Sequence, residues 1–169
     1  MTFQREVGIA QGFGVPGDIH LDSPTRAENL LINSSGKKNV YGYAFTKDAA
    51  TNVAQVGGAI ASGKVFAGIL ANPKEAVLYG TENGTLEPTL AVPDLQRGDF
   101  VTMGDVVAHV TTKCNIGDLV VYDTTTGALS TVAAGTASAG SGKAFVPNAV
   151  IYRYPVTGNG GLTVIRLTN

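Results

Sequence analysis

Glycine-containing pairs recur along this chain beside runs of Val, Ile, Leu, Phe or Tyr, as in Arg97-Gly98-Asp99, Met103-Gly104-Asp105, Ile116-Gly117-Asp118 and Asn159-Gly160-Gly161. Glycine reaches the backbone angles that tight turns require, and β-branched and aromatic runs suit a pleated, half-buried surface. Read as turns between short strands, these pairs predict a mainly β fold. The expected architecture is a single-domain antiparallel β-barrel or β-sandwich with an extended N-terminal arm and at most one or two short helices. The 22 glycines in 169 residues are nearly double the usual share of about 7%. The chain is therefore rich in turns.

A chain of 169 residues is long enough for one domain that buries roughly 70% of its extended-chain surface. Twelve Lys and Arg against 13 Asp and Glu leave a net charge of −1. That balance supplies no field for a polyphosphate backbone or an anionic membrane, so neither nucleic acid nor membrane is expected as a partner. High apolar content with only 15% charged residues predicts self-association, as a homotrimer or alternatively a dimer. The single cysteine, Cys114, excludes an intrachain disulfide and a multi-cysteine zinc site within one subunit. The opening Met1-Thr2-Phe3-Gln4-Arg5-Glu6 carries charge where a signal peptide is apolar, which predicts a soluble product made in the cytoplasm.

Residues 1–26 differ from the rest. Phe3, Val7 and Ile9 can share one face of an extended strand, and the prolines and glycines of Phe13-Gly14-Val15-Pro16-Gly17 and Ser23-Pro24 oppose a helix. This stretch reads as an extended, turning arm of the kind that lies across another subunit, with residues 27–169 as the β-rich globular domain. In residues 40–46, Tyr41, Tyr43 and Phe45 are expected on one strand face. Residues 65–70 and 119–122 are apolar on both faces, as central strands are. Residues 162–167 are similar, but Arg166 needs solvent or a carboxylate partner. Residues 47–60 read as a loop or one short helix, 74–79 as a helical turn, and 131–142 as a flexible surface loop. Pro88, Pro93 and Pro147 belong at strand edges or loop entries, because a central ladder cannot spare the missing donor.

No constellation for catalysis, cofactor or metal emerges. Gly58-Ala59-Ile60-Ala61-Ser62-Gly63-Lys64 matches the start of a phosphate-binding loop, but Val65 stands where a magnesium-ligating hydroxyl belongs and a strand pattern follows. His109 and Cys114 lack an orienting third group and an oxyanion site. His20 beside Asp18 and Asp22 is a common surface cluster, and the Gly-Asp carboxylates are not spaced as in a calcium loop. The chain reads as a non-enzyme that makes a binding surface.

Three groups of residues together carry a family likeness. They are Phe13-Gly14-Val15-Pro16-Gly17-Asp18 followed by Ser23-Pro24-Thr25-Arg26; Gly117-Asp118-Leu119-Val120-Val121-Tyr122-Asp123 with Thr126-Gly127-Ala128-Leu129; and Val146-Pro147-Asn148-Ala149-Val150 with Gly160-Gly161-Leu162-Thr163-Val164-Ile165-Arg166-Leu167. In order and spacing they resemble the capsid cement, or decoration, proteins of tailed bacteriophages. The stretch Tyr152-Arg153-Tyr154-Pro155-Val156-Thr157 departs from the shorter, more polar connection expected of that family.

The resemblance implies a structural virion protein on the outer surface of the capsid. It would bind the major capsid protein, bridge its subunits and stabilise the expanded head against the pressure of packed DNA. The capsid contacts it implies are Phe3, Arg5, Val7, Ile9, Phe13, Val15, Pro16 and Arg26. A virion-surface module that binds a receptor or carbohydrate is the alternative; the absence of Trp disfavours a sugar platform. A small enzyme is the third option.

Overall fold

The computed structural model describes residues 13–20, 23–61, 63–72, 81–82, 85–86 and 91–168, and among them there is no helix. The first strands are β1 (Ile19–His20), β2 (Arg26–Leu31), β3 (Asn39–Val40), β4 (Ala44–Asp48), β5 (Ala54–Val56) and β6 (Lys64–Leu70). Two short pieces, β7 (Thr81–Glu82) and β8 (Thr85–Leu86), pair with each other, and β9 (Ala91–Val92) pairs with β3. The rest of the chain forms β10 (Arg97–Val110), β11 (Leu119–Asp123), β12 (Leu129–Val132), β13 (Lys143–Arg153) and β14 (Gly161–Leu167).

The 14-residue β10 organises the molecule because each of its halves belongs to a different closed sheet. Its C-terminal half pairs with β14 from Gly104↔Leu167 to Val110↔Gly161. The sheet continues through β13, β11 and β12, and Val110↔Leu129 brings β12 back onto β10. That circuit is a five-stranded barrel. Its N-terminal half pairs with β2 on one side and with β6 at Phe100 and Val101 on the other. From β6 the order runs β4 then β5, and a parallel bridge between Ile32 and Ala54 ties the end of β2 to β5. A second, smaller barrel results.

Two apolar clusters fill these barrels. Val106, Ala108 and Val110, at alternate positions of β10, point into the first with Val120, Tyr122, Leu129, Ile151, Ile165 and Leu167, as the two-residue period of a strand requires. Phe45, Phe100, Ile32, Leu70 and Val56 fill the second, where the Phe45 and Phe100 rings tilt at 57° with centroids 5.0 Å apart. Such a ring pair contributes roughly 0.5–1.5 kcal/mol beyond its burial. Ala44, Ile69 and Val101 come from strands of the second barrel yet join the first cluster. The barrels are thereby packed on each other.

The mainly β expectation holds, with the barrel rather than the sandwich realised. Several local expectations change. Gly98-Asp99 and Gly104-Asp105 are not turns: both lie inside β10. A Cβ on Gly98 would come within 2.6 Å of Leu70 Cδ1 and 2.9 Å of Ile32 Cδ1, so close packing, not chain reversal, requires that glycine. Residues 40–46 are not one strand. The chain turns at Tyr41 and Gly42, where the Gly42 N–H donates to Leu70 O at 2.8 Å; Tyr41 and Phe45 still reach the second core, with Tyr43 packed against it.

Residues 47–60 hold neither a helix nor one open loop but the β4–β5 hairpin. Backbone N–H groups of Thr51 and Ala50 both donate to Asp48 Oδ1. They hold its carboxyl below the usual carboxylate range. In β6 the coverage expected of both faces is met only from Ala67 onward, Val65 being 43% exposed. Thr131 and Val132 belong to β12, so the loop starts later than expected. Pro147 lies within β13, at an interruption of the β11 ladder where Val121 pairs Phe145 and Leu119 pairs Val150. The ladder skips the missing donor there. Pro93 follows β9. Residues 74–79 and Pro88 lie outside the described residues.

Candidate functional site

On the outer face of the first barrel, β10, β14 and β13 present Asp105, Arg166 and Tyr152, whose neighbours Val106, Ile165 and Ile151 point inward. The Asp105 carboxylate is fully buried, and Arg166 grips it with Nε donating to Oδ1 and Nη2 to Oδ2, both at 2.7 Å. This is the carboxylate partner that Arg166 needs. The fork explains why the guanidinium is held charged even more firmly than usual, with the Asp105 hydrogen bonds as the main cause. Arg166 also lies 3.4 Å above the Tyr152 ring centroid, and Arg153 lies 5.0 Å from the same centroid, a cation–π arrangement.

Across this face runs the segment before β1. Its turn is closed by Asp18 N–H to Val15 O at 3.1 Å and by Val15 N–H to Asp18 Oδ2 at 3.1 Å. The turn is fastened to the barrel by Gly17 N–H to Val107 O and Val107 N–H to Asp18 O, each 2.8 Å. Asn72 N–H donates to Gly17 O, also at 2.8 Å. β1 then continues along β10 with Ile19↔Val106 and His20↔Asp105. Phe13 stacks on Tyr154, centroids 3.9 Å apart and planes 11° from parallel. A rigid, partly apolar ledge results, on which Val15, Ile19 and Tyr154 remain about two-fifths exposed.

Of the contact residues implied by sequence, Phe13, Val15 and Pro16 come together on this turn. Arg26 does not join them; it is exposed at the start of β2, opposite Met103. Phe3, Arg5, Val7 and Ile9 lie outside the described residues. Sequence reasoning passed over Ile19 and Tyr154. The one signal for Tyr154 was that its segment departs from the resembled family, and nothing local pairs that segment with Phe13, near the other end of the chain.

The other candidates stay apart. Lys64 leads directly into β6, a strand rather than a helix. His109 is exposed, whereas Cys114 is buried in a bridge to Val156. Among the described residues no group of three His, Cys, Asp or Glu could hold a metal; Asp22 lies outside them. The Asp118 carboxylate accepts the Asn115 N–H at 2.8 Å, the local turn role that such an aspartate serves.

Removing the Arg166 side chain strands a buried carboxylate. Arg166→Ala is expected to lower stability by about 3 kcal/mol, at the low end for broken buried pairs because the guanidinium is partly solvated. Arg166→Lys, which keeps the charge but not the fork, should recover part of that loss. Equal denaturant midpoints for the wild type and Arg166→Ala would show that the pair contributes nothing.

Three comparisons bear on what this surface belongs to. The family model described as "Structural cement protein (E217 gp24/Pam3 gp6)" matches residues 3–168. A chain of the capsid of Myoviridae phage XM1 has the same fold, with a TM-score of 0.63 at 15% identity, covering 100% of this chain and 99% of that one. Among curated proteins there is no significant match. With the family model matched over nearly its whole length, the chain belongs to the structural cement proteins of phages.

Proposed function

We propose that this protein attaches to the outer surface of a phage capsid, bridges neighbouring subunits of the major capsid protein and stabilises the expanded head against internal DNA pressure. It does so as a homo-oligomer, a trimer or alternatively a dimer, after synthesis in the host cytoplasm, and without catalysis. The observation that carries this reading is the ledge of Phe13, Val15, Ile19 and Tyr154. Apolar groups exposed on a backbone fastened to a barrel lose little further entropy on binding, so their burial is returned largely as affinity. Phe3, Arg5, Val7, Ile9, Pro16 and Arg26 extend the proposed contact. Many modest contacts, repeated over a symmetric shell, add up by multivalency.

The test uses capsids assembled without this protein. Adding the purified chain should decorate them, visible as extra density outside the shell by cryo-electron microscopy, and should raise the temperature at which DNA is released. Density inside the shell, or an unchanged release temperature at full occupancy, would contradict the reading.

A further inference from the structure

At the opposite end of β10 from the ledge, the turn before Arg97 carries a leucine in an unusual position. Leu95 has φ 65° and is 67% exposed. Left-handed backbone strains any side chain with a Cβ, Asn least, and an exposed leucine there does nothing for the fold. Yet the turn is firmly built. Leu95 N–H donates to Ile32 O at 2.8 Å and Ile32 N–H to Gln96 O at 2.9 Å. Asp94 accepts Ser34 N–H and Asn39 Nδ2 at 2.9 Å through Oδ1, and Gly36 N–H at 2.8 Å through Oδ2. A strained apolar knob on a rigid base is what a contact surface requires.

Just past the other end of β10 lies a hollow of about 360 Å³ lined by Thr112, Lys113, Asp118, Thr131, Val132 and Ala133, among others. Its threonine hydroxyls are already engaged: Thr112 and Thr131 share a hydrogen bond of 2.9 Å, and Thr131 Oγ1 also reaches Lys113 O at 3.0 Å. Val132 and Ala133 are left as its apolar part. The charges match in reverse. Asp94 and Arg97 flank the knob; Lys113 and Asp118 stand at the hollow.

We infer that copies of this chain join head to tail, Leu95 of one copy seating in the Thr112–Ala133 hollow of the next, with Asp94 facing Lys113 and Arg97 facing Asp118. Such a contact is heterologous. It repeats around a ring or along a chain and cannot close as a two-fold dimer through one pair of patches. The inference rests on the self-association proposed above and is independent of capsid attachment.

Sedimentation velocity on the full chain tests it. Leu95→Asn should weaken association about tenfold or more, as loss of a central anchor does, while the melting temperature of the dilute protein stays level or rises. Ala133→Trp, which fills the hollow, should weaken association likewise. Mixing the two variants is decisive: the intact hollow of the first accepts the intact knob of the second, and a 1:1 heterodimer that grows no further is expected. Wild-type association with an equally tight Leu95→Asn oligomer, or no heterodimer on mixing, overturns this contact and leaves self-association standing. A wild type monomeric at every concentration overturns both, and the decoration assay still judges capsid attachment separately.

Discussion

Gly127→Val is expected to cost the fold on the order of 2–5 kcal/mol, adding a left-handed penalty of about 1–2 to an overpacking penalty of about 1–3. Gly127 has φ 77°, and a Cβ there would lie 2.6 Å from Ala44 O and 2.8 Å from Val56 Cγ2. The crowding arises where the two barrels join. The β11–β12 turn leans on β4 and β5 through Ala44 N–H to Gly127 O at 3.0 Å and Gly58 N–H to Thr124 O at 2.7 Å. Tyr122 adds a hydrogen bond from its hydroxyl to Gly58 O at 2.8 Å. Burial pushes that phenol up to about 12, so the donor persists across any ordinary pH. Gly135→Val is the control. Its φ is 80° but nothing lies within 4 Å of the added Cβ, so only the backbone penalty of about 1–2 kcal/mol applies. Urea midpoints measure both; equal losses would mean that the junction is looser than described.

That junction also marks how far the sequence could be read. Apolar runs such as those of β6, β11 and β14 are visible because the information lies within the strand. The end of β10 from Val106 onward reads as strand, but its full length was not visible, because Gly98-Asp99 and Gly104-Asp105 have the composition of turns. At Gly98 what makes the strand is the packing of the Leu70 and Ile32 side chains, which come from distant segments of the chain. Arg166 illustrates the same limit in the site. Its need for a carboxylate follows from its apolar surroundings in sequence, but the choice of Asp105 follows from the β10–β14 register. Phe13, Val15 and Pro16 drew notice through the family likeness, whereas their partner Tyr154 required the fold. The long-range pairings that close a barrel are what local patterns do not encode.

The truncation series should separate folding from attachment at a definable point. Removing residues 1–12 leaves the Val15–Asp18 turn, β1 and their bonds to β10 in place, so the shortened protein should melt within a few degrees of the full chain. If Phe3, Arg5, Val7 and Ile9 contribute the proposed main-chain and side-chain anchors, it should nevertheless bind capsids at least about tenfold more weakly, an effect multiplied over many copies. Removing residues 1–26 is a different operation. It deprives Val107 of both its N–H and C=O partners and Asn72 of its acceptor, and it uncovers a Val107 side chain that is 1% exposed. Each lost hydrogen bond costs about 0.5–1.5 kcal/mol net and uncovering Val107 costs about 1.5–3 more, so the protein lacking residues 1–26 should be destabilised by several kcal/mol and bind poorly for lack of structure. Heat-release assays on decorated particles, read beside melting curves of the free variants, distinguish the two. Full decoration by the chain lacking residues 1–12 would place the contact on the ledge of Phe13, Val15, Ile19 and Tyr154 alone, and Tyr154→Ala should then abolish it.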